Sequence, residues 1–193
     1  MSPELEILRH PQRAFARFTA APQRVTPIDA CYRPAIVLVT IATAVSIAAT
    51  SHVSVALIAS AMACWSVALA LQVGAARLVM PASARRRFGT ARMLALFFTA
   101  HAPWSLWLLG FALWAVLAPI TGRDVRWPLA SIVLPIAWTS IVVFAFFRAA
   151  LAMTHRSALR RTIAHQALTL GIGFGVFALA VAIWPRLIGT FAR

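Results

Sequence analysis

Five long apolar runs, separated by short stretches that hold almost all the charge, constrain this chain more than any other feature. A helix needs roughly 20 apolar residues to cross about 30 Å of hydrocarbon. Five such runs use more than half of the 193 residues. The remainder is too short and too scattered to bury a separate soluble core. The expectation is an all-α, polytopic membrane protein: a bundle of five transmembrane helices over 34–193, preceded by a basic lead-in over 1–33.

The boundaries follow from charge and proline. From Pro34 to Gln72 no residue is acidic or basic except His52. As one helix this stretch would be almost twice as long as the membrane is thick, so it must turn back. The polar cluster Thr50, Ser51, His52 and Ser54 is the place for that corner. Span one is then 34–50, with Pro34 suited to a first helical turn, and span two is 54–73. Span three covers 93–118, contains Pro103 and ends at Pro119. Span four covers 128–152, opens at Trp127-Pro128 and contains Pro135. Span five covers 164–184 and stops at Trp184-Pro185. Interior prolines kink helices by removing a donor. Two adjacent kinked spans imply irregular packing or a cavity.

In the lead-in, Leu5, Leu8, Phe15 and Phe18 can share one face of a helix broken by Pro11, with Arg13 and Arg17 elsewhere. Such a segment either lies flat among lipid headgroups or forms a loosely ordered cytosolic tail. The first 30 residues carry no apolar signal-peptide core, so span one is expected to serve as an uncleaved signal.

The formal charge is +14, and all 18 basic residues are arginine. Basicity of this size can indicate nucleic acid, but these arginines flank spans, where they set orientation and meet anionic headgroups. No nucleic-acid partner is expected. Fourteen arginines fall on the side of the lead-in and of the loops after spans two and four, against four on the other side. That places the N-terminus in the cytosol and the C-terminus outside a cell's inner membrane. On the cytosolic face, Arg77, Arg85, Arg86, Arg87, Arg156, Arg160 and Arg161 are the candidates for contact with membrane lipids or a partner protein.

Chemistry is sparse. No Asp or Glu lies inside a span, which disfavours ion-coupled transport. No G-x-S-x-G, Walker loop, dinucleotide fingerprint or HExxH occurs. Catalytic residues, cofactor and metal are therefore not expected, nor is an enzyme. The candidate functional residues are His101, Pro103 and Trp104 in span three, Arg148 near the cytosolic end of span four, and His165 at the start of span five. His101 and His165 would meet only by an accident of packing, and Arg148 can anchor by snorkelling. His101 can also serve simply to bond a carbonyl freed at the kink. Trp104, Trp107 and Trp114 fall deep in span three, as packing residues or as part of a binding surface, while Trp127 and Trp184 mark span ends. Cys31 and Cys64 match no metal spacing and lie at different depths.

Two small-residue stripes bear on assembly. Ala56, Ser60, Cys64 and Ala68 recur every four residues in span two, and Gly171 and Gly175 form a GxxxG in span five. Each allows close helix approach, within the monomer or in a homo-oligomer.

The segment Ile7-Leu8-Arg9-His10-Pro11-Gln12-Arg13-Ala14-Phe15 resembles the apolar, Pro, then Phe opening of bacterial proteins in the YIP (Ypt/Rab-interacting protein) family. Gly89-Thr90-Ala91-Arg92-Met93-Leu94, followed by His101-Ala102-Pro103-Trp104, is similar to that family's entry into its third span. The resemblance implies five spans, a cytosolic N-terminus and a non-enzymatic role in membrane organisation or a trafficking-like process. The DLYGP-type signature of the eukaryotic branch is missing, so binding to Rab-type GTPases is not implied. A small transporter or permease subunit is the alternative reading.

Overall fold

The computed structural model describes residues 3–20, 25–117, 126 and 130–191. Among them there are helices and no strands. Two short helices, α1 (Pro3–Arg9) and α2 (Pro11–Ala20), precede two long ones, α3 (Pro27–Thr50) and α4 (Val55–Val79). A short α5 (Ala82–Phe88) leads to α6 (Thr90–Ala100) and α7 (Ala102–Leu117). Then come α8 (Val133–Ala145), a π-helical turn (Phe146–Ala150) and the long α9 (His155–Phe191).

Helix α3 begins seven residues before Pro34. Thr26 caps it: its hydroxyl accepts from the Asp29 N–H, and the Asp29 carboxylate accepts from the Thr26 N–H at 2.9 Å. This reciprocal pair satisfies two donors that the first turn leaves open. Pro27, not Pro34, occupies the first turn, and Pro34 sits inside the helix.

The corner between α3 and α4 falls where the polar cluster required it. Ser51 adopts a left-handed conformation (φ 60°) and ends α3. The buried Ser46 hydroxyl accepts from the Ser54 N–H at 2.8 Å and donates to the His52 carbonyl at 3.2 Å. Thr50 donates to the same carbonyl at 3.0 Å. Two short polar side chains, Ser46 and Thr50, thus pair the backbone of a turn that the apolar helices on either side could not.

The third apolar run is broken rather than gently kinked. Helices α6 and α7 meet at a bend of 56°. Pro103 has no N–H to continue the ladder, so the chain restarts: His101 ends α6, its carbonyl accepts from the Ser105 N–H at 3.1 Å, and Pro103 becomes the second residue of α7. Pro135 produces no such break, because α8 starts at Val133 and the proline lies in its first turn. The irregularity in that run comes later, at the π-helical turn, where the Leu151 N–H reaches the Phe146 carbonyl five residues back.

Among the described residues, three helices are long and apolar enough to cross a membrane: Pro27–Thr50, Val55–Val79 and Val133–Ala150. The bent pair α6–α7 makes a fourth if it counts as one span. The run expected as span five lies within α9, which starts nine residues earlier and continues past Pro185 to Phe191. It is not among the helices that meet the length and apolarity test within the described residues. Pro119, Arg123, Asp124, Trp127, Pro128 and Arg193 lie outside the described residues.

The lead-in is two helices packed on the rest of the chain. Ile7, Ala14 and Phe15 are fully buried, whereas Leu5 is half exposed. The inward face therefore runs through Ile7 rather than Leu5 and Leu8. Phe15 meets Phe146 of the π-helical turn edge to face, ring centres 5.6 Å apart. Arg92 donates to the Phe18 carbonyl at 2.9 Å, and Arg17 pairs with Glu6. The core around these contacts includes Phe97, Val142, Val143, Phe147 and Ala158. Replacing Phe15 with Ala should cost about 3–5 kcal/mol of stability. Unfolding of the detergent-solubilised variant checks this, with Phe18→Ala, at a half-buried position, expected to cost less.

Candidate functional site

His101 and His165 come together. Their ring centres are 5.6 Å apart at an interplanar angle of 66°, and both rings pack on Phe97, at 4.3 and 5.3 Å. This overturns the expectation that they would stay apart. The physical reason is the early start of α9: His165 lies ten residues into that helix, at the level of the α6–α7 bend, not at a span entrance.

The two rings are held differently. His101 Nδ1 lies 2.9 Å from the Phe97 carbonyl, one turn back along α6. The His101 N–H reaches Phe98 instead, so the ring takes over a carbonyl that the broken ladder leaves open. A carbonyl only accepts, which fixes the proton on Nδ1. His165 is fully buried, and neither ring nitrogen has a hydrogen-bond partner of normal geometry. The backbone of Gln72 on α4 is the polar group that faces it. The Thr139 hydroxyl and the Gln166 amide nitrogen are buried and unpartnered as well. A buried polar atom without a partner costs about 1–3 kcal/mol. Among the described residues no group of three or more His, Cys, Asp or Glu side chains could hold a metal ion.

Trp104, beyond the bend, begins an aromatic stripe along α7. Trp104, Trp107, Phe111 and Trp114 follow one another at ring-centre distances of 5.5–5.8 Å. The Trp107 indole donates to the Ser131 hydroxyl at 2.8 Å, linking α7 to the start of the next helical segment. Arg148 is exposed and donates to the Met153 carbonyl at 2.7 Å. It closes the turn after the π-helical residues, where Ala152 has a positive φ of 51°. The sequence has no pattern that announces this π-helical turn.

Among the cytosolic-face candidates, Arg77, Arg86, Arg156 and Arg160 are exposed. Arg161 is half-buried and donates to the Val79 carbonyl at the end of α4, tying α9 to α4 within the chain. Cations suit helix C-termini because the last carbonyls lack donors. The side chains of Arg85, Arg87 and Ala68 lie outside the description. The small-residue stripes are not packed within the monomer as far as they are described. Ala56, Ser60 and Cys64 are exposed, and a Cβ added at Gly171 or Gly175 would meet nothing within 4 Å.

Comparison with known proteins gives no family model, no curated protein and no solved structure that matches this chain.

His165→Leu should raise stability by about 1–3 kcal/mol, because it removes unpaired buried nitrogens and keeps an apolar side chain in their place. Chemical unfolding in detergent measures this. A loss of stability instead would mean that the imidazole has a partner the site does not reveal.

Proposed function

We propose that the chain is a multi-pass inner-membrane protein that acts by associating with lipids or partner proteins, without catalysis. The observation that carries this reading is the exposed arginine set at one end of the helices: Arg77, Arg86, Arg156 and Arg160. Broad apolar exposure beside it adds support. Val55, Leu78, Leu113, Leu134 and Ile141 are all more than half exposed. Apolar surface on that scale calls for lipid or another protein as its solvent. In this reading α9 supplies the fifth crossing, the N-terminus is cytosolic, and the open face at Gly171 and Gly175 is available to a second copy. The resemblance to the YIP family belongs to the same proposal.

The specific test is neutralisation. Arg86→Gln, Arg156→Gln and Arg160→Gln should each weaken binding to vesicles containing anionic lipid by roughly fivefold, since a surface cation contributes about 1 kcal/mol there. Unchanged binding of the triple variant would remove the lipid-association reading. For the topology, reporters fused before Met1 and after Arg193 should fall on opposite sides of the membrane.

The paired histidines at the bend favour a second reading, a small permease subunit with a path past His101. It requires substrate uptake that His101→Ala abolishes. Uptake equal to wild type would end it.

A further inference from the structure

A cavity of about 230 Å³ lies between the start of α3, one face of α6 from Arg92 to Thr99, and the end of α2. It is smaller than the roughly 300–1,000 Å³ of sites for drug-sized ligands, and on the scale of a phosphate with a few attached carbons. Its walls divide sharply by chemistry. Arg33 and Arg92 supply two guanidinium groups and Asp29 a carboxylate; Phe18, Val25 and Leu96 supply the apolar part.

Both arginines are half-buried and held in place by neutral oxygens. Arg33 donates to the Thr99 hydroxyl at 2.7 Å, and Arg92 to the Phe18 and Thr19 carbonyls at 2.9 and 3.4 Å. Each also takes part in a further interaction. The Arg92 guanidinium lies 5.5 Å from the centre of the Phe88 ring. A guanidinium fixed in this way loses little freedom when it binds a phosphate, and its planar fork matches phosphate oxygens. The Asp29 carboxylate, one turn before Arg33 on α3, is oriented by Thr26. Two cations and one anion therefore line a space whose remaining walls are apolar apart from Thr99.

Position completes the case. Residues 29, 30 and 33 of α3 and residues 92, 95, 96 and 99 of α6 line the cavity together. Both helices thus enter the apolar region from this end. A basic pocket between such helices, at the level where their charged residues give way to apolar ones, is suited to a lipid headgroup.

We infer that this cavity binds the phosphodiester headgroup of one membrane phospholipid, with the phosphate on Arg33 and Arg92, the headgroup amine or hydroxyl toward Asp29, and an acyl chain leaving past Leu96. The inference deepens the lipid-association reading and rests on it. It differs in being a single, stoichiometric site rather than a charged surface.

Native mass spectrometry of the full chain, released from nanodiscs of phosphatidylethanolamine and phosphatidylglycerol, tests it. Wild type should retain one phospholipid per chain. Arg33→Gln should lower that occupancy at least tenfold. Ala95→Phe, which fills the cavity without altering charge, should do the same while the protein still elutes as a single species. Arg156→Gln with Arg160→Gln should keep the bound lipid, because those side chains are remote from the cavity. Full occupancy in both Arg33→Gln and Ala95→Phe would overturn the site. Displacement of the lipid by millimolar glycerol phosphate would overturn the lipid assignment in favour of a soluble phosphate. Loss of vesicle binding in the surface-arginine variants alone leaves this result unaffected, so the two readings fail separately.

Discussion

An amide group left unpaired away from water costs several kcal/mol, and a chain this apolar has little polar material with which to prevent it. Within a helix the ladder solves the problem. At a joint it does not, and the joints of this fold are where its few polar side chains are spent. Thr26 and Asp29 open α3, and Ser46 and Thr50 hold the corner to α4. The His101 ring takes the Phe97 carbonyl at the bend, Arg148 takes Met153 after the π-helical turn, and Arg161 takes Val79 at the end of α4. Long helices packed by apolar contact can stand only because these few bonds tie their ends.

The contrast between His101 and His165 follows from the same constraint. One imidazole repairs a broken ladder and is fully explained by that task. The other is buried against it, its nitrogens without a hydrogen bond of normal geometry and only the Gln72 backbone facing them. A side chain that costs stability where leucine would not is the place to look for a role beyond folding, and the bend beside it is a place where the backbone can change shape. The cavity at Arg33 and Arg92 belongs to a different level of the molecule, near the charged ends of the helices. Its arginines and Asp29 are held in place by neighbouring oxygen and backbone groups.

Much of the fold could be read from the residues. The corner at Thr50–Ser54 was legible because apolar length forbids a single helix and only one polar cluster interrupts it. An irregularity at Pro103 was legible because proline cannot donate, though as a kink in one span rather than the 56° break between two helices. Pro34 and Pro135 misled for one reason: whether a proline sits inside a helix depends on where the helix starts, and hydropathy registers neither the Thr26 cap before Pro34 nor the uncapped start of α8 at Val133. The docking of the lead-in on Phe146 depends on contacts about 130 residues apart in the sequence, which no local pattern encodes. The same holds for the site. Span boundaries suggested that His165 sits at an entrance, whereas the extended N-terminal turns of α9 carry it inward beside His101. Arg161 looked like one more surface cation because its partner, the Val79 carbonyl, belongs to another helix.

Helix α9 has 37 residues, unbroken from His155 to Phe191. At 1.5 Å per residue it is about 55 Å long, more than the roughly 40–45 Å of a bilayer with its headgroups. Its first turns carry Arg156 and Arg160 in the open, and His165 follows roughly 7 Å beyond Arg160 along the axis. No hinge lies between them. The arrangement is a stiff lever with its handle outside and its working point buried: torque applied at the two arginines by whatever grips them would reach the imidazole pair undiminished.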